Sequence, residues 1–513
     1  MTKVVDVTQS ELGSLNTEEK AQNETKAHSF LDLLKENLTC EMYHALLDIF
    51  DSSHIIIKVH LTFFLLTAYA LASYTMVTLI LSYLSFDVVT TTRIIYETPA
   101  VFPKVTICNL NQFTTKFAYD FLKSELDRTT TGILEQNQSK SISSFLKTQA
   151  LFKLKYQANA LLANRSQSFK QQLGHSLHDS LFSCVFNLEE CKADDFAWEW
   201  DSYYGNCYSF NSGISSSGSR IDLKGSNLAG YQFGLQMDVY ANFFEEFTFF
   251  NSIKGGSGLL IRLDNVSHKI DHSLEGIVVS AGSATNLALK REIRSSLPKP
   301  YSNCDLAEDG ARPDKTYSDL FDLIIKSSYE YSQRYCLIQC FQQLTIRTCN
   351  CSISIFASLS NENTCASNEE IVCSFNIVYY NIYLKNNYIR DACLPQCPLE
   401  CSSSEITYAT STYDLLGDTY LDVVQDNSNL SSDFIDRSIT EENVKQSIVR
   451  LNIYYDTLSY KESEETPQMD IVTLIANIGG NLGLFLGVSM FSLCEIVTTL
   501  IQVYFYFKKG WTF

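Results

Sequence analysis

The chain has 513 residues, a mean hydropathy of −0.05, and 58 acidic against 39 basic residues, for a formal net charge of −19. That balance makes nucleic acid and anionic membrane surfaces poor partners and cations good ones. The length allows one large core or several.

Residues 1–53 are polar and mixed in charge, so no cleavable secretory signal is expected, and residues 1–30 read as disordered. From Phe30 the sequence turns amphipathic and predicts a cytoplasmic segment lying against the membrane, with His44 in it. Leu61–Phe86 then runs 26 residues without a charge, after His54, Lys58 and His60. About 20 apolar helical residues suffice to cross a bilayer. Val88–Ile107 is rich in β-branched residues and predicts extended structure. Asn111–Leu126 and Ile142–Phe186 carry apolar residues every three or four positions and predict helices. His175 and His178 stand three apart there. With no acidic or cysteine partner nearby, an exposed helix face accounts for them better than a metal site.

From Tyr203 the pattern changes. Segments 230–240, 257–266, 275–289 and 446–460 predict strands, and Gly213–Ser219 predicts a turn within the same domain. Between the last two lies a cysteine-dense block with a helical run near Tyr317–Thr348. Strands leaving the first span and entering the second are expected to lie side by side, so that strain in the outer domain reaches both helices.

The second span, Ile471–Phe507, holds 37 residues and one charge, Glu495. As one helix it would be about 55 Å long at roughly 1.5 Å per residue, too long for a straight crossing. Gly479, Gly480, Gly483 and Gly487, with Asn477, Asn481 and Ser489, suit a helix that lines water, packs closely or breaks in the membrane. A pore and a long anchor with small-residue packing both fit. Above it, Glu462, Glu464, Glu465 and Asp470 form either a vestibule that concentrates cations or an ordinary solvated face. Lys508 and Lys509 follow, and only six residues come after Phe507, which leaves the cytoplasmic end short or trimmed. Basic flanks on both spans place both termini in the cytoplasm and residues 85–468 outside.

The cysteines agree with that topology. Of sixteen, fourteen lie between the spans, an even number where an oxidising compartment is expected. A zinc site at Cys349-Asn350-Cys351 lacks histidine partners. Sequons at Asn137, Asn164, Asn265, Asn350 and Asn429 are candidate glycosylation sites.

Several segments, in order, resemble the degenerin/epithelial sodium channel superfamily, which includes acid-sensing and peptide-gated channels. The likeness covers about residues 40–507. It is carried by Phe102-Pro103-Lys104-Val105-Thr106-Ile107-Cys108-Asn109, by Tyr204 to Gly213 (YGNCYSFNSG) and by Leu297 to Cys304 (LPKPYSNC). Tyr331-Ser332 followed by Cys336, Cys340, Cys349 and Cys351, then Leu451 to Tyr455 (LNIYY) and Gly479 to Ser489 (GGNLGLFLGVS), complete it.

The resemblance implies an α+β membrane protein: two transmembrane helices flank a large disulfide-rich extracellular β domain decorated with helices, and three chains form a trimer. The implied bounds are 1–54 cytoplasmic, 55–84 first helix, 85–468 extracellular, 469–507 pore helix and 508–513 cytoplasmic. Within the outer part, about 111–186 is finger-like and helical, 203–300 is β, and 304–401 is cysteine-rich and helical. It also implies disulfides Cys108–Cys207, Cys184–Cys191, Cys304–Cys401, Cys336–Cys397, Cys340–Cys393, Cys349–Cys373 and Cys351–Cys365.

By the same resemblance, Gly487, Val488 and Ser489 form the selectivity filter, where exposed carbonyls replace part of a cation's hydration shell. Ala476, Asn477 and Gly480 form the gate region, with Ala476 at the position where bulky side chains hold such channels open. Glu495 is a pore-lining acid, since an ionisable group at that depth faces water rather than lipid. The family's cytoplasmic His-Gly pair stands here as His44-Ala45, and its aromatic wrist contact as Phe86 and Tyr301. Histidines of acid-sensing members are replaced by Asp87 and Val88, which removes groups titrating near neutral pH.

The function expected is a ligand-gated, sodium-selective, amiloride-sensitive channel of the plasma membrane. It is most similar to the FMRFamide-gated branch and would be opened by an extracellular neuropeptide bound along 111–126 and 142–186. Sodium, membrane lipid and sister subunits in a homotrimer or heterotrimer are the partners, with no cofactor, metal or enzymatic activity. Proton gating, mechanical gating and constitutive opening are alternatives within the family. A two-span receptor without a pore is the alternative of another class. No nucleophile motif supports an ectoenzyme, and no basic phosphate site supports an ATP-gated trimer.

Overall fold

The computed structural model describes Ile49 and residues 53–126, 157–163, 165–241, 257–264, 276–306, 319–326, 331–353, 356, 359, 363–382, 388–415, 420–426, 440–489, 492, 494, 497–501 and 504. In chain order these form α1 (Ile55–Leu84), β1 (Val88–Tyr96), β2 (Ala100–Val101), β3 (Lys104–Asn109), α2 (Lys116–Leu126), α3 (Gln167–Gln171), α4 (Leu177–Ser180), β4 (Leu181–Phe186) and β5 (Glu189–Glu190). Then come β6 (Phe196–Asp201), β7 (Gly205–Phe210), β8 (Gly225–Ser226), β9 (Leu235–Tyr240), β10 (Gly258–Asp264), β11 (Ile277–Ser280), β12 (Ser283–Ser295) and β13 (Cys304–Asp305). The chain closes with α5 (Asp319–Ile325), α6 (Gln333–Cys349), α7 (Asn368–Ile382), β14 (Leu399–Glu400), β15 (Ser402–Asp414), α8 (Leu421–Asp426), α9 (Glu441–Lys445), β16 (Ile448–Pro467) and α10 (Ile471–Leu486). Two compact units result, one of residues 1–89 with 466–513 and the other of residues 90–465.

The outer unit is built on two sheets. One has seven strands in the order β15-β12-β16-β9-β4-β5, with β1 also paired to β16. The other has five, in the order β11-β10-β3-β7-β6. Val105, Ile107, Phe210, Leu259 and Ile261 from the second sheet, with Phe102 just before β3, share one buried core with Met237, Leu287, Val449, Leu451, Ile453 and Tyr455 from the first. β3 and β10 are buried on both faces along most of their length, with Thr106, Arg262 and Asp264 among the buried residues.

β12 and β16 are parallel, and a parallel pair needs a long crossover. The connection runs through β15, antiparallel to β12, and then the chain that leads on to β16. β12 and β15 are joined at one end by the cysteine-rich helical segment, whose own core gathers Phe321, Ile324, Tyr335, Cys336, Cys340, Cys393 and Cys397. Five disulfides staple it: Cys304–Cys401, Cys336–Cys397, Cys340–Cys393, Cys349–Cys373 and Cys351–Cys365. Cys108–Cys207 joins directly opposed residues of β3 and β7, and Cys184–Cys191 closes the β4–β5 hairpin. These are the pairs that the family resemblance implies. A crosslink stabilises chiefly by restricting the unfolded chain, typically by about 2–4 kcal/mol. Replacing both Cys340 and Cys393 by serine is therefore expected to lower the thermal midpoint of the detergent-purified protein by several degrees, read by tryptophan fluorescence. An unchanged midpoint would show that the ladder is redundant there.

Four expectations need correction. Leu181–Phe186 is not helical but is strand β4, because its Cys184 and Phe186 are needed in the sheet core against β9. The first outer helix begins at Lys116, not Asn111; the buried Asn111 instead accepts the Phe113 N–H on its side chain in a turn. His175 and His178 do not share a helix face: Ser176 caps α4 between them, His178 is exposed, and His175 packs edge-on at 5.6 Å to Tyr240. The β region also extends beyond 203–300, through β4 before it and β15 after it.

In the membrane unit, α1 is 30 residues long and apolar enough to cross a bilayer. Phe63, Phe64, Leu66, Val77 and Leu81 are open, as lipid-facing residues are. The hydroxyls of Thr62, Thr67, Thr75 and Thr78 return to carbonyls three or four residues back, so these four are satisfied within the helix. α10 packs against α1. At the outer end Asp87 accepts the Gln468 N–H through its carbonyl (2.9 Å), and the Thr466 hydroxyl donates to the Val89 carbonyl (3.3 Å). The expected juxtaposition of the chain leaving one helix with the chain entering the other is thus made by hydrogen bonds.

Candidate functional site

α10 starts where an aspartate can cap it. The Asp470 carboxylate accepts the Thr473 N–H at 2.8 Å, and Pro467 just before cannot extend a helix ladder. The helix has 16 residues, about 24 Å at roughly 1.5 Å per residue, less than the about 30 Å of a bilayer core.

Gly487 ends it, at φ 64° in the left-handed region. Its N–H still reaches the Gly483 carbonyl (3.1 Å), and the Val488 N–H reaches that of Leu482 (3.3 Å). Ser489 then starts a new helical stretch. Its hydroxyl accepts the Ser492 N–H, and the Ser492 hydroxyl accepts the Ser489 N–H, each at 3.2 Å. This reciprocal pair is a capping box built from two serines. Residues 492, 494, 497–501 and 504 are helical. The tripeptide Gly487-Val488-Ser489 therefore separates the end of one helix from the start of another. Sequence reasoning missed Ser492, although the Ser-x-x-Ser spacing after the last glycine was its signal.

α10 has two faces. Leu474, Ile478, Leu482 and Phe485 recur at three- and four-residue steps and are shielded. Ala476, Gly480 and Gly483 recur at the same steps on an open face, and a side chain added at Gly480 would meet nothing within 4 Å. Asn477 and Ser489 are exposed. Glu495, His44, Ala45, Asn137, Asn164, Asn265 and Asn429 lie outside the described residues. Cys494 is a free, exposed thiol. Asn350 is exposed at the C-terminus of α6, with φ 56°. Phe86 and Tyr301 fall in different units; Phe86 stands 6.0 Å from Tyr83, ring to ring.

The signature segments of the outer unit hold each other. The Asn211 side chain donates to the Phe102 carbonyl at 2.6 Å and accepts the Lys224 N–H at 2.7 Å. A side chain on Gly205 would come 2.5 Å from the Gln112 carbonyl oxygen, so only glycine fits that turn. These residues keep the scaffold rather than the pore.

In the outer helical region, Phe169 meets Phe117 at 5.3 Å and Phe121 at 5.1 Å between ring centres. The Arg165 guanidinium lies 5.6 Å from the Phe121 ring and 5.3 Å from that of Phe169. Beside them Lys170 stands 6.0 Å over Trp200, and burial holds its ammonium below the ordinary lysine range. The result is an aromatic patch with two cations, and Phe117 is open to solvent.

Comparison with known proteins defines the class. The amiloride-sensitive sodium channel family matches residues 40–499, and the chain belongs to that family, one of ion channels and not of enzymes. The FMRFamide-activated amiloride-sensitive sodium channel of Cornu aspersum is 22% identical over 94% of this chain and 84% of its own length. The epithelial sodium channel subunit gamma-2 of Xenopus laevis is 27% identical over 68% of this chain and 49% of its own length, so the chain spans about half of that relative. A solved proton-activated chloride channel aligns over 87% of this chain and 99% of its own at 8% identity and a TM-score of 0.31, too distant a likeness to support any inference.

Proposed function

We propose that the chain forms a trimeric, sodium-selective, amiloride-sensitive channel of the plasma membrane, with both termini cytoplasmic, opened by an extracellular neuropeptide of the FMRFamide type. The observation that carries the pore is the helix interruption at Gly487–Ser489. A helix end leaves its last carbonyls without intrahelical partners, and such oxygens can take the place of a cation's water. The open Ala476–Gly480–Gly483 face gives room for a conduit or for a second copy of α10. Glu495 would lie beyond the filter, and Phe86 with Tyr301 would couple the outer domain to the membrane helices.

Peptide gating is supported by the relative from Cornu aspersum, which aligns over 94% of this chain, and by the patch of Phe117, Phe121, Phe169 and Arg165 in the outer helical region. Aromatic faces and a guanidinium suit a short peptide with aromatic side chains. The test is voltage-clamp recording from oocytes expressing the chain, with FMRFamide, acid and amiloride applied in turn. An inward sodium current evoked by FMRFamide and blocked by amiloride is expected. Protein at the surface with acid-evoked current alone would replace the peptide by protons. No current under any of these, with bulky side chains at Ala476 also silent, would overturn the channel.

A further inference from the structure

β12 and β16 keep parallel register from Ala284 opposite Arg450 to Leu289 opposite Tyr455, and again from Arg291 opposite Tyr460 to Ser295 opposite Glu464. Between those stretches β16 advances five residues, from 455 to 460, while β12 advances two, from 289 to 291. Asp456, Thr457, Leu458 and Ser459 therefore stand opposite Lys290 alone. A bulge breaks the ladder, so these four residues of β16 are not held by pairing with β12.

One side chain reaches both ends of it. The Arg291 guanidinium lies 5.0 Å over the Tyr455 ring and 5.2 Å over the Tyr460 ring. Its Nη2 donates to the Leu458 carbonyl inside the bulge at 3.4 Å. The same nitrogen pairs with the Glu97 carboxylate at 2.6 Å, and the arginine is only 17% exposed. Glu97 directly follows β1, the strand that continues from α1, and β16 continues toward α10. The Tyr455 hydroxyl donates to the Val101 carbonyl at 2.7 Å, which fixes one of the stacking rings to the same stretch of chain as Glu97.

We propose that Arg291 is a positioning residue for gating, a clamp that holds the β16 bulge in one length and ties it to the end of β1. β1 is already paired to β16; the clamp joins that pair across the bulge to Tyr455 and to β12. A planar guanidinium can stack between two rings while its edge holds a carboxylate, and a lysine ammonium cannot do both. The proposal rests on the channel reading above.

The test uses the full chain in oocytes, with two ways of opening it: FMRFamide, and the substitution Ala476→Phe, which needs no ligand. Arg291→Gln, Arg291→Lys, Glu97→Gln and the double variant Arg291→Gln/Glu97→Gln are compared at matched surface expression, measured by biotinylation. Loss of either partner is expected to speed current decay under maintained peptide at least threefold, or to cut the sustained Ala476→Phe current by the same factor. The double variant should go no further than the stronger single, and Arg291→Lys should behave like Arg291→Gln. Should Arg291→Gln not reach the surface, Glu97→Gln alone decides, because Glu97 is the more open of the two partners. Singles within twofold of the parent, or effects that multiply in the double, would overturn the clamp. Silence of both the parent and the Ala476→Phe chain overturns the channel reading itself and the clamp with it.

Discussion

Gly487→Ala is expected to abolish sodium selectivity while leaving the protein at the cell surface. Gly487 sits at φ 64°, and an alanine there meets the left-handed penalty of about 1–2 kcal/mol. Alanine also favours the right-handed helix over glycine by roughly 0.5–1 kcal/mol. Both terms push α10 to continue past Leu486, and together they reach about 2 kcal/mol, a factor of roughly 30 in the helix-end equilibrium. A continued helix returns the carbonyls at the break to its own ladder and takes them from the ion. Ser489→Ala and Ser492→Ala weaken the start of the following stretch, each by about 1 kcal/mol, the usual cost of a lost cap. The two serines share one reciprocal pair, so the double variant should be little worse than either single. Reversal potentials in sodium and potassium solutions read the outcome. Unchanged selectivity in Gly487→Ala would remove the filter from this tripeptide.

Which of four glycines ends α10 was the part of the candidate site least legible in the residue pattern. Gly479, Gly480 and Gly483 lie inside α10, and composition alone gives each an equal claim. What distinguishes Gly487 is the pair of serines after it, a helix start placed close behind a helix stop. The outer domain shows the same division. Short alternating or apolar runs set between turn residues, such as β9 and β10, are readable as they stand. β4 is not, because its six residues follow a helical pattern and pairing with β9 and β5 makes them a strand. β15 is a run of serine, threonine and tyrosine that resembles a loop, yet all 13 of its residues pair with β12. Tertiary pairing decides such segments, and local propensity does not reach it. The disulfide pairing came with the family resemblance; spacing among fourteen cysteines could not have selected it. The β16 bulge and the Arg291 clamp left no mark in the pattern, since both depend on a partner strand far away in the chain.

Arg262→Met is expected to keep the protein from reaching the surface, and to do so without touching the pore. Arg262 on β10 and Asp201 at the end of β6 form an ion pair with both side chains at most 10% exposed. The Asp201 carboxylate also accepts the backbone N–H groups of Tyr203 (2.7 Å) and Tyr204 (3.0 Å), so it sets the turn into β7 and hence the position of Cys207 opposite Cys108. The guanidinium lies 5.7 Å over the Tyr204 ring, whose hydroxyl burial pushes up to about 12. Removing the arginine leaves a buried carboxylate with its two backbone donors but without the paired cation, which costs about 3–5 kcal/mol in such pairs. That is a large share of the roughly 5–15 kcal/mol that separates folded from unfolded domains. Arg262→Lys keeps the charge but loses the planar stack and should be intermediate. Arg262→Met/Asp201→Asn removes both charges, and should recover part of the surface expression lost in Arg262→Met because no buried ion is then left alone. Biotinylation and the thermal midpoint of purified protein measure the series. If the double variant is as poorly expressed as Arg262→Met, the loss comes from packing against Tyr204 rather than from the charge.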